Sequence, residues 1–429
     1  MDISCMPAAT VIMTNVDSIK VGVRIRPFNQ REKILQSKCI ISMTRNNVEI
    51  IDPKNAKKKK TFVFDYCYWS HDEYVKNELG IYIPDGPESR YADQVCVFND
   101  VGKAVLNNAW RGYNTTLFAY GQTGSGKSYT VTGSGLNKGL VPLICEMLFK
   151  EIRQQECEEK QFQVHFSMLE ICNEQVIDLL SKDRKPGGLR VREGRHGFYV
   201  EYLKAVPCDS HKKIEALFEE GLRNGNTTST SMNTSCSRSH LVIKIHFKQV
   251  HTKELSLKVS EIDLVDLAGS EKQRTSYTTN DHFVEARAIN LSLTTLGNVI
   301  SALSDKSTGK KVYHIPYRNS VLTKLLSTAL GGNSKTVMVA SLSPADISYE
   351  ESLSTLRLAE RVKNIQNQAI INNCTILHVH NDLKEENARL QAKIMSLQKA
   401  EFIHLSERGN LQLFCSLIPK KCISFAKIA

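Results

Sequence analysis

The stretch Gly121-Gln-Thr-Gly-Ser-Gly-Lys-Ser128 reads G-x-x-x-x-G-K-S, the phosphate-binding P-loop. Before it, Thr116 to Tyr120 is apolar and β-prone, as a buried strand should be. The residues after it can open a helix. Such a turn aims a row of backbone N–H groups at one point, and a helix N-terminus adds partial positive charge there. Gly124 and Gly126 remove the Cβ atoms that would keep a phosphate from the backbone. Lys127 suits the β- and γ-phosphates of ATP, and the Ser128 hydroxyl suits Mg2+. A glycine-rich turn with a solvated lysine is the plain alternative. The strand before and the helix after argue against it.

The chain has 429 residues, enough for one large α/β domain with appendages or for two or three ordinary domains. Lys and Arg number 56 and Asp and Glu 45, a balance of +11 that points to an acidic partner. Nucleic acid, a membrane and an acidic protein surface all fit that charge. No apolar run is long enough to span a bilayer, and the start lacks the layout of a signal peptide. The 12 cysteines are scattered with no C-x-x-C pair, which reads as reduced thiols in the cytosol.

Outward from the P-loop, strands and helices alternate. Ile19 to Ile25 alternates as a strand. Val48 to Ile51 and Thr61 to Phe64 read as strands flanking a hairpin tip that carries Lys57 to Lys60. Residues 70–94 read as a polar loop, and Val95 to Trp110 and Leu140 to Gln154 as helices. Val164 to Glu170 is a strand, Asn173 to Leu180 a short helix, and short strands lie about Gly194 and Gly197. His211 to Leu222 is a helix, with a polar stretch to Ser239. Leu241 to Phe247, Ser260 to Leu267 and Thr336 to Leu342 are strands. Val284 to Leu303, Asn319 to Ala329 and Tyr349 to Val362 are helices. This order predicts an α/β fold: a mainly parallel central β-sheet with helices on both faces.

Two further motifs carry chemistry. Asp266-Leu-Ala-Gly-Ser-Glu271 ends an apolar strand. A carboxylate there can hold Mg2+ through water, and a glycine N–H three residues on can meet a γ-phosphate and feel its loss. Asn233-Thr-Ser-Cys-Ser-Arg-Ser-His240 packs hydroxyls, an amide, a guanidinium and an imidazole before a strand. Taken alone it could be an ordinary polar loop. The three motifs together resemble the kinesin motor domain, with its P-loop G-Q-T-x-x-G-K-[ST], first switch N-x-x-S-S-R-S-H and second switch D-L-A-G-S-E. The resemblance runs from about Ile19 to Ile371. It includes Val23-Arg-Ile-Arg-Pro27, Leu169 to Glu174, Ile315 to Ser320 and Leu330 to Asn333. Phe64 to Ser70 and Leu383 to Leu390 are similar to the vesicle- and organelle-carrying, kinesin-3-like class.

The resemblance implies a P-loop NTPase-type kinesin fold that uses ATP and Mg2+. Its cofactor-binding residues would be Gly121, Gln122, Thr123, Gly124, Ser125, Gly126, Lys127, Ser128, Tyr129, Arg24, Arg26 and Pro27, with Tyr129 stacking on the base. Asn233, Ser237, Arg238, Gly269 and Glu271 would be the catalytic set, with an Arg238–Glu271 salt bridge closing the site. Ser128, Ser237 and, through water, Asp266 would hold the metal. The implied organisation is a loose arm 1–17, a motor domain 18–366, a neck linker 367–377 latched at Asn372, a neck helix 378–407 and an irregular tail 408–429. The helix about Val284 to Leu303 would be the relay lying on the microtubule. Lys272, Arg274, Lys306, Lys310, Lys311, Arg318 and Lys324 would face that acidic surface.

The expected activity is a microtubule-stimulated ATPase, moving organelle or vesicle cargo toward plus ends. The expected partners are microtubules (tubulin) and a cargo adaptor or membrane cargo reached through a tail absent from the chain. No nucleic acid is expected. Ile376, Leu383, Leu390 and Leu397 repeat every seven residues, but His380, Asn387 and Glu401 spoil the alternate positions, so a monomer or weak dimer is expected. The expected location is the cytoplasm, on the cytoskeleton. Four departures stand out. Cys236 replaces a switch serine and is a weaker donor. The loop Thr275 to Val284 lacks the family's glycines and basic residues. Leu291 replaces a lysine, and Gly225 stands where an arginine is common. These keep a second reading open: a microtubule-binding protein with weak or no motility, acting as tether or competitor.

Overall fold

A computed structural model of the chain describes residues 15–183, 185–194, 197–227, 239–271, 280–375, 384 and 387–397. It divides into two compact units, residues 1–253 with 257–373 and residues 254–256 with 374–429. The first unit is built on a sheet whose main strands are β1 (Lys20–Ile25), β2 (Tyr66–Trp69), β3 (Thr115–Tyr120), β4 (Lys160–Cys172), β5 (Gln175–Asp178), β6 (His240–His251), β7 (Ser256–Asp266) and β8 (Lys335–Leu342). Their spatial order is β5-β4-β6-β7-β3-β8-β1-β2. Around the P-loop strand β3, the pairings β7–β3, β3–β8, β8–β1 and β1–β2 are all parallel. Farther out, β4 runs antiparallel to both β5 and β6. The sheet is therefore mixed, with its parallel half around the P-loop.

Among the described helices, those that frame the sheet are α1 (Lys103–Trp110), α2 (Lys127–Val131), α3 (Leu140–Gln155), α4 (His211–Thr227), α5 (Asn280–Ser307), α6 (Val321–Leu325) and α7 (Tyr349–Lys363). Successive residues of a strand point to opposite faces. Accordingly Leu117 and Ala119 of β3 join a core with α1, α3 and α4, while Phe118 joins a second core with α5, α6 and α7. A strand covered on both faces should read as an unbroken apolar run. That is why the stretch before the P-loop was legible.

Several local expectations need correction. Lys57 to Lys60 lie within a strand, Asn55–Val63, paired antiparallel with Asn47–Asp52, so they are not a hairpin tip. The turn falls at Pro53-Lys54, where the Asp52 side chain accepts from the Lys54 N–H at 2.9 Å. Turn chemistry, not charge, set its position. Residues 173–180 form no helix: β5 pairs back on β4 through a turn with Asn173 at φ 52 and Glu174 at φ 60. Two positive φ values in a two-residue loop match the twist of a hairpin. The helix expected over 319–329 is only Val321–Leu325. Residues 70–94 contain a small hairpin, Tyr74–Lys76 with Tyr82–Pro84.

The boundary regions also differ. Asn15–Ser18, three of whose residues were assigned to a loose arm, pairs antiparallel with Gln366–Ala369. Residues 367–373 of the expected linker belong to the first unit. There the Asn372 N–H donates to Gly112 O at 2.8 Å. The Asn372 side chain bonds Gly112 O, Asn114 Oδ1 and the Asn333 amide at 3.2, 3.0 and 3.0 Å. In the second unit, residues 387–397 are helical and exposed on every side, Leu390, Ile394 and Leu397 included. The rest of the expected neck helix and the tail 408–429 lie outside the described residues.

Candidate nucleotide site

The P-loop joins β3 to α2. Its glycines Gly121, Gly124 and Gly126 sit at φ 151, 71 and 101, which other residues adopt only under strain. A Cβ on Gly121 would run into the Ser341 carbonyl of β8, whereas Gly124 has open space where its Cβ would be. So Gly121 is glycine for packing and Gly124 leaves the loop open to a ligand. Helix α2 has only five residues. Its dipole is correspondingly small, and the loop's N–H groups and Lys127 must carry most of the attraction for phosphate. Lys127 is buried, and its Nζ donates to Gly121 O at 2.9 Å and Gln122 O at 3.0 Å. Burial pulls its ammonium below the ordinary lysine value, against the pull of Asp266 and Glu271.

The Ser128 hydroxyl donates to Asp266 Oδ2 at 2.6 Å. The other Asp266 oxygen is buried without a partner. Burial raises this carboxyl, opposed by the Ser128 bond and the Lys127 charge. A hydroxyl and a carboxylate side by side, with one orphan oxygen, suit a hard divalent cation completed by phosphate and water oxygens. Among the described residues no cluster of three or more His, Cys, Asp or Glu could hold a metal by itself. The donor set therefore fits Mg2+ arriving with a nucleotide better than a resident ion.

Other predicted residues serve the loop from behind. Arg26 donates through Nε to Gly124 O at 2.5 Å and grips both Glu32 oxygens at 2.6 and 2.7 Å. Burial alone would raise the Glu32 carboxyl, but Arg26, Ser343 and the Asn29 N–H together hold it below its ordinary value. Pro27 O accepts from Arg26 Nη1 at 2.6 Å. Arg24, expected at the cofactor, is buried. Its guanidinium is spent on Ser70 Oγ at 3.0 Å, Gln94 Oε1 at 2.6 Å and Thr130 Oγ1 at 3.0 Å. It also lies 5.3 Å from the centre of the half-buried Tyr129 ring, which it supports. Gln122 Nε2 reaches Ser348 Oγ at 3.1 Å, and Ser125 Oγ is buried without a partner.

The second switch lies directly against the P-loop. Ser270 N donates to Gly121 O at 3.1 Å, and the Glu271 carboxylate accepts from the Thr123 N–H at 2.7 Å and from the Thr123 hydroxyl. A Cβ on Gly269 would strike Thr123 Oγ1. Glu271, expected opposite Arg238, is thus engaged by the P-loop. Asn233, Cys236, Ser237 and Arg238 lie outside the described residues, as do Lys272, Arg274 and 275–279. Of the other basic candidates, Lys306, Lys310 and Lys311 are exposed and Lys324 is half-buried. Lys310 pairs with Asp305 and Arg318 with Glu193, each at 2.7 Å. Leu291 is also exposed. Glu32, Gln94 and Ser343 had no motif to announce them. No described helix is long and apolar enough to cross a membrane.

Comparison with known proteins matches this geometry to one family. A family model described as the kinesin motor domain matches residues 24–365. The chain is 57% identical over 375 residues to the mouse kinesin-like protein KIF28, covering 87% of this chain and 36% of that one. It is 43% identical over 404 residues to the human kinesin-like protein KIF13B, covering 91% of this chain and 21% of that one. The chain thus spans well under half the length of these relatives. Among solved structures, a KIF14 dimer bound with AMP-PNP to a microtubule superposes with a TM-score of 0.75 at 38% identity, covering 83% of this chain and 97% of that one.

Proposed function

Because the chain belongs to the kinesin motor-domain family, we propose that it is a microtubule-stimulated ATPase that turns nucleotide state into neck-linker movement. The observation that carries this reading is the direct contact of second switch and P-loop: Ser128 on Asp266, Thr123 on Glu271, and Gly269 against Thr123. ATP phosphates entering the loop must displace or reorganise these bonds, so the second switch responds to what the loop holds.

In this reading Lys127 and the loop N–H groups hold the phosphates, and Tyr129 and Pro27 flank the base. Ser128, Ser237 and, through water, Asp266 would hold Mg2+, which would neutralise charge on the phosphates. Asn233, Ser237, Arg238, Gly269 and Glu271 order the attacking water and close the site. Water attacks the γ-phosphorus in line, the bond to the β–γ bridging oxygen breaks, and ADP leaves carrying that oxygen. Positioning and fixed charge supply most of the acceleration.

The similarity to a KIF14 structure in complex with a microtubule supports an acidic tubulin surface as partner of this net +11 chain. A neck segment that follows the core supports plus-end movement. The resemblance of Phe64 to Ser70 and Leu383 to Leu390 to the vesicle- and organelle-carrying class supports such cargo on cytoplasmic microtubules, and the polar His380, Asn387 and Glu401 support a monomer or weak dimer. The competing tether reading draws on Leu291, exposed on α5 where a lysine is usual.

Steady-state ATPase against microtubule concentration tests the proposal. Turnover should rise to saturation, and Lys127→Ala should abolish it. A flat response would sink the motor reading. Gliding of microtubules over immobilised chain separates motor from tether.

A further inference from the structure

His240 closes the first-switch motif and opens β6, yet neither phosphate nor metal needs an imidazole there. It is 2% exposed, and its partners Ala268 and Ser292 are 0% and 2% exposed. The Ala268 backbone N–H donates to His240 Nδ1 at 3.0 Å, and His240 Nε2 lies 2.8 Å from Ser292 Oγ. A backbone N–H can only donate, so Nδ1 must carry the lone pair and Nε2 the proton. The tautomer is therefore fixed: Nε2–H donates to Ser292. Burial, reinforced by the Lys127 charge, holds the ring neutral, with its ionisation pushed down to about 3.

A buried, satisfied histidine is ordinarily just part of a core. This one differs in what it joins. Ala268 precedes Gly269, the glycine pressed against the P-loop. Ser292 lies on α5, on the opposite side of the ring. His240 itself stands two residues beyond Arg238. One ring thus ties the end of the first switch, the second switch and the long helix, with no solvent available to replace either bond.

We infer that His240 is a positioning residue that couples the second switch to α5 through Ala268 N–H, Nδ1, Nε2–H and Ser292 Oγ. The inference rests on the motor reading above. A shift of Gly269 toward or away from phosphate moves the Ala268 N–H, and the rigid ring passes that displacement to Ser292. A methyl group could make neither bond, and a water, though both donor and acceptor, is not anchored to the chain as the rigid ring is.

The test uses the full chain with Ser292→Ala, His240→Asn and the double variant. The asparagine carbonyl can replace Nδ1 as acceptor but cannot reach Ser292. Each single change should lower the fold-stimulation of ATPase by microtubules about tenfold. The double variant should lose no more than the worse single, and Ser292→Thr should restore most of the stimulation. Wild-type stimulation in Ser292→Ala, or losses that multiply in the double variant, would overturn the coupling and leave the motor reading standing. A wild-type chain that microtubules do not stimulate would overturn both. Independently of folding in the variants, nitrogen NMR of histidine-labelled wild type should find His240 protonated at Nε2 alone; a proton on Nδ1 would falsify the assignment.

Discussion

His240 also sets an expectation for stability against pH. An unfolded imidazole ionises near 6.5, by order of magnitude from reference peptides. The folded one is pushed down to about 3. Between these values the unfolded chain binds a proton that the folded chain refuses, so stability rises with pH there. It should be fully present above about 6.5 and lost toward 3, by at most roughly 1.4 kcal/mol per pH unit. Asp263 works in the opposite direction: burial, reinforced by Glu261 and opposed by Lys244, leaves it pushed up to about 6. Its folded state holds the extra proton, so its contribution fades as pH rises through that value. The His240 share must therefore be read as a difference. Melting from pH 7 to pH 5 should fall less in His240→Asn than in wild type, and equal falls would discount it. At this scale the contiguous motif was readable, because Gly121 to Ser128 and Asp266 to Glu271 place their ligands by local backbone alone. The bracing bonds of Arg24 were not readable, because its partners Ser70, Gln94 and Thr130 come from three separate segments.

At the scale of elements, the hairpin after β4 shows a cost accepted for a long-range contact. Glu174 stands at φ 60, where glycine would be easier. Its carboxylate accepts from the Val321 N–H at the start of α6 at 2.7 Å, capping that short helix from another part of the chain. Burial raises the Glu174 carboxyl, opposed by that N–H and by Lys324. Glu174→Ala should keep the strained backbone and lose the cap, costing roughly 1–2 kcal/mol in urea unfolding, while Glu174→Gln should recover part of it. A neutral Glu174→Ala would mean that the Ser320 hydroxyl, which already accepts from Thr323 N at 3.1 Å, suffices as cap. Long, strongly periodic elements such as α3 and β3 were legible; this hairpin was not. Its apolar residues fit a helical spacing too, and only pairing with β4 decides between them.

At the scale of the molecule, the segment after α7 is held to the core by polar bonds as well as by the buried Ile365 and Ala369. The Asn372 side chain bonds Gly112, Asn114 and Asn333, and the Asn367 side chain bonds Gly331, Ala329, Ser334 and Thr336. Each such bond is worth about 1 kcal/mol net. Asn372→Ala should therefore shift the docked fraction by on the order of 2–3 kcal/mol, a large effect on a two-state equilibrium. Spin labels on this segment and on the core, compared with ADP and with an ATP analogue, would read it. An unchanged distance distribution in Asn372→Ala would show that the bonds of Asn367 and the pairing of Asn15–Ser18 with Gln366–Ala369 hold the segment without it.

The sequence by itself determined the phosphate loop, the apolar parallel strands that carry it, the two switch motifs and the surplus of positive charge. Each of these depends on residues close together in the chain, so periodicity and spacing suffice to find them. Only the tertiary structure decided that Arg24 bonds Ser70, Gln94 and Thr130, that Lys57 to Lys60 run along a strand, and that Glu271 meets Thr123. It alone also placed His240 between Ala268 and Ser292. Those outcomes depend on which distant groups compete for the same buried donors and acceptors, and a low-dielectric interior settles that competition only once the sheet has brought them together.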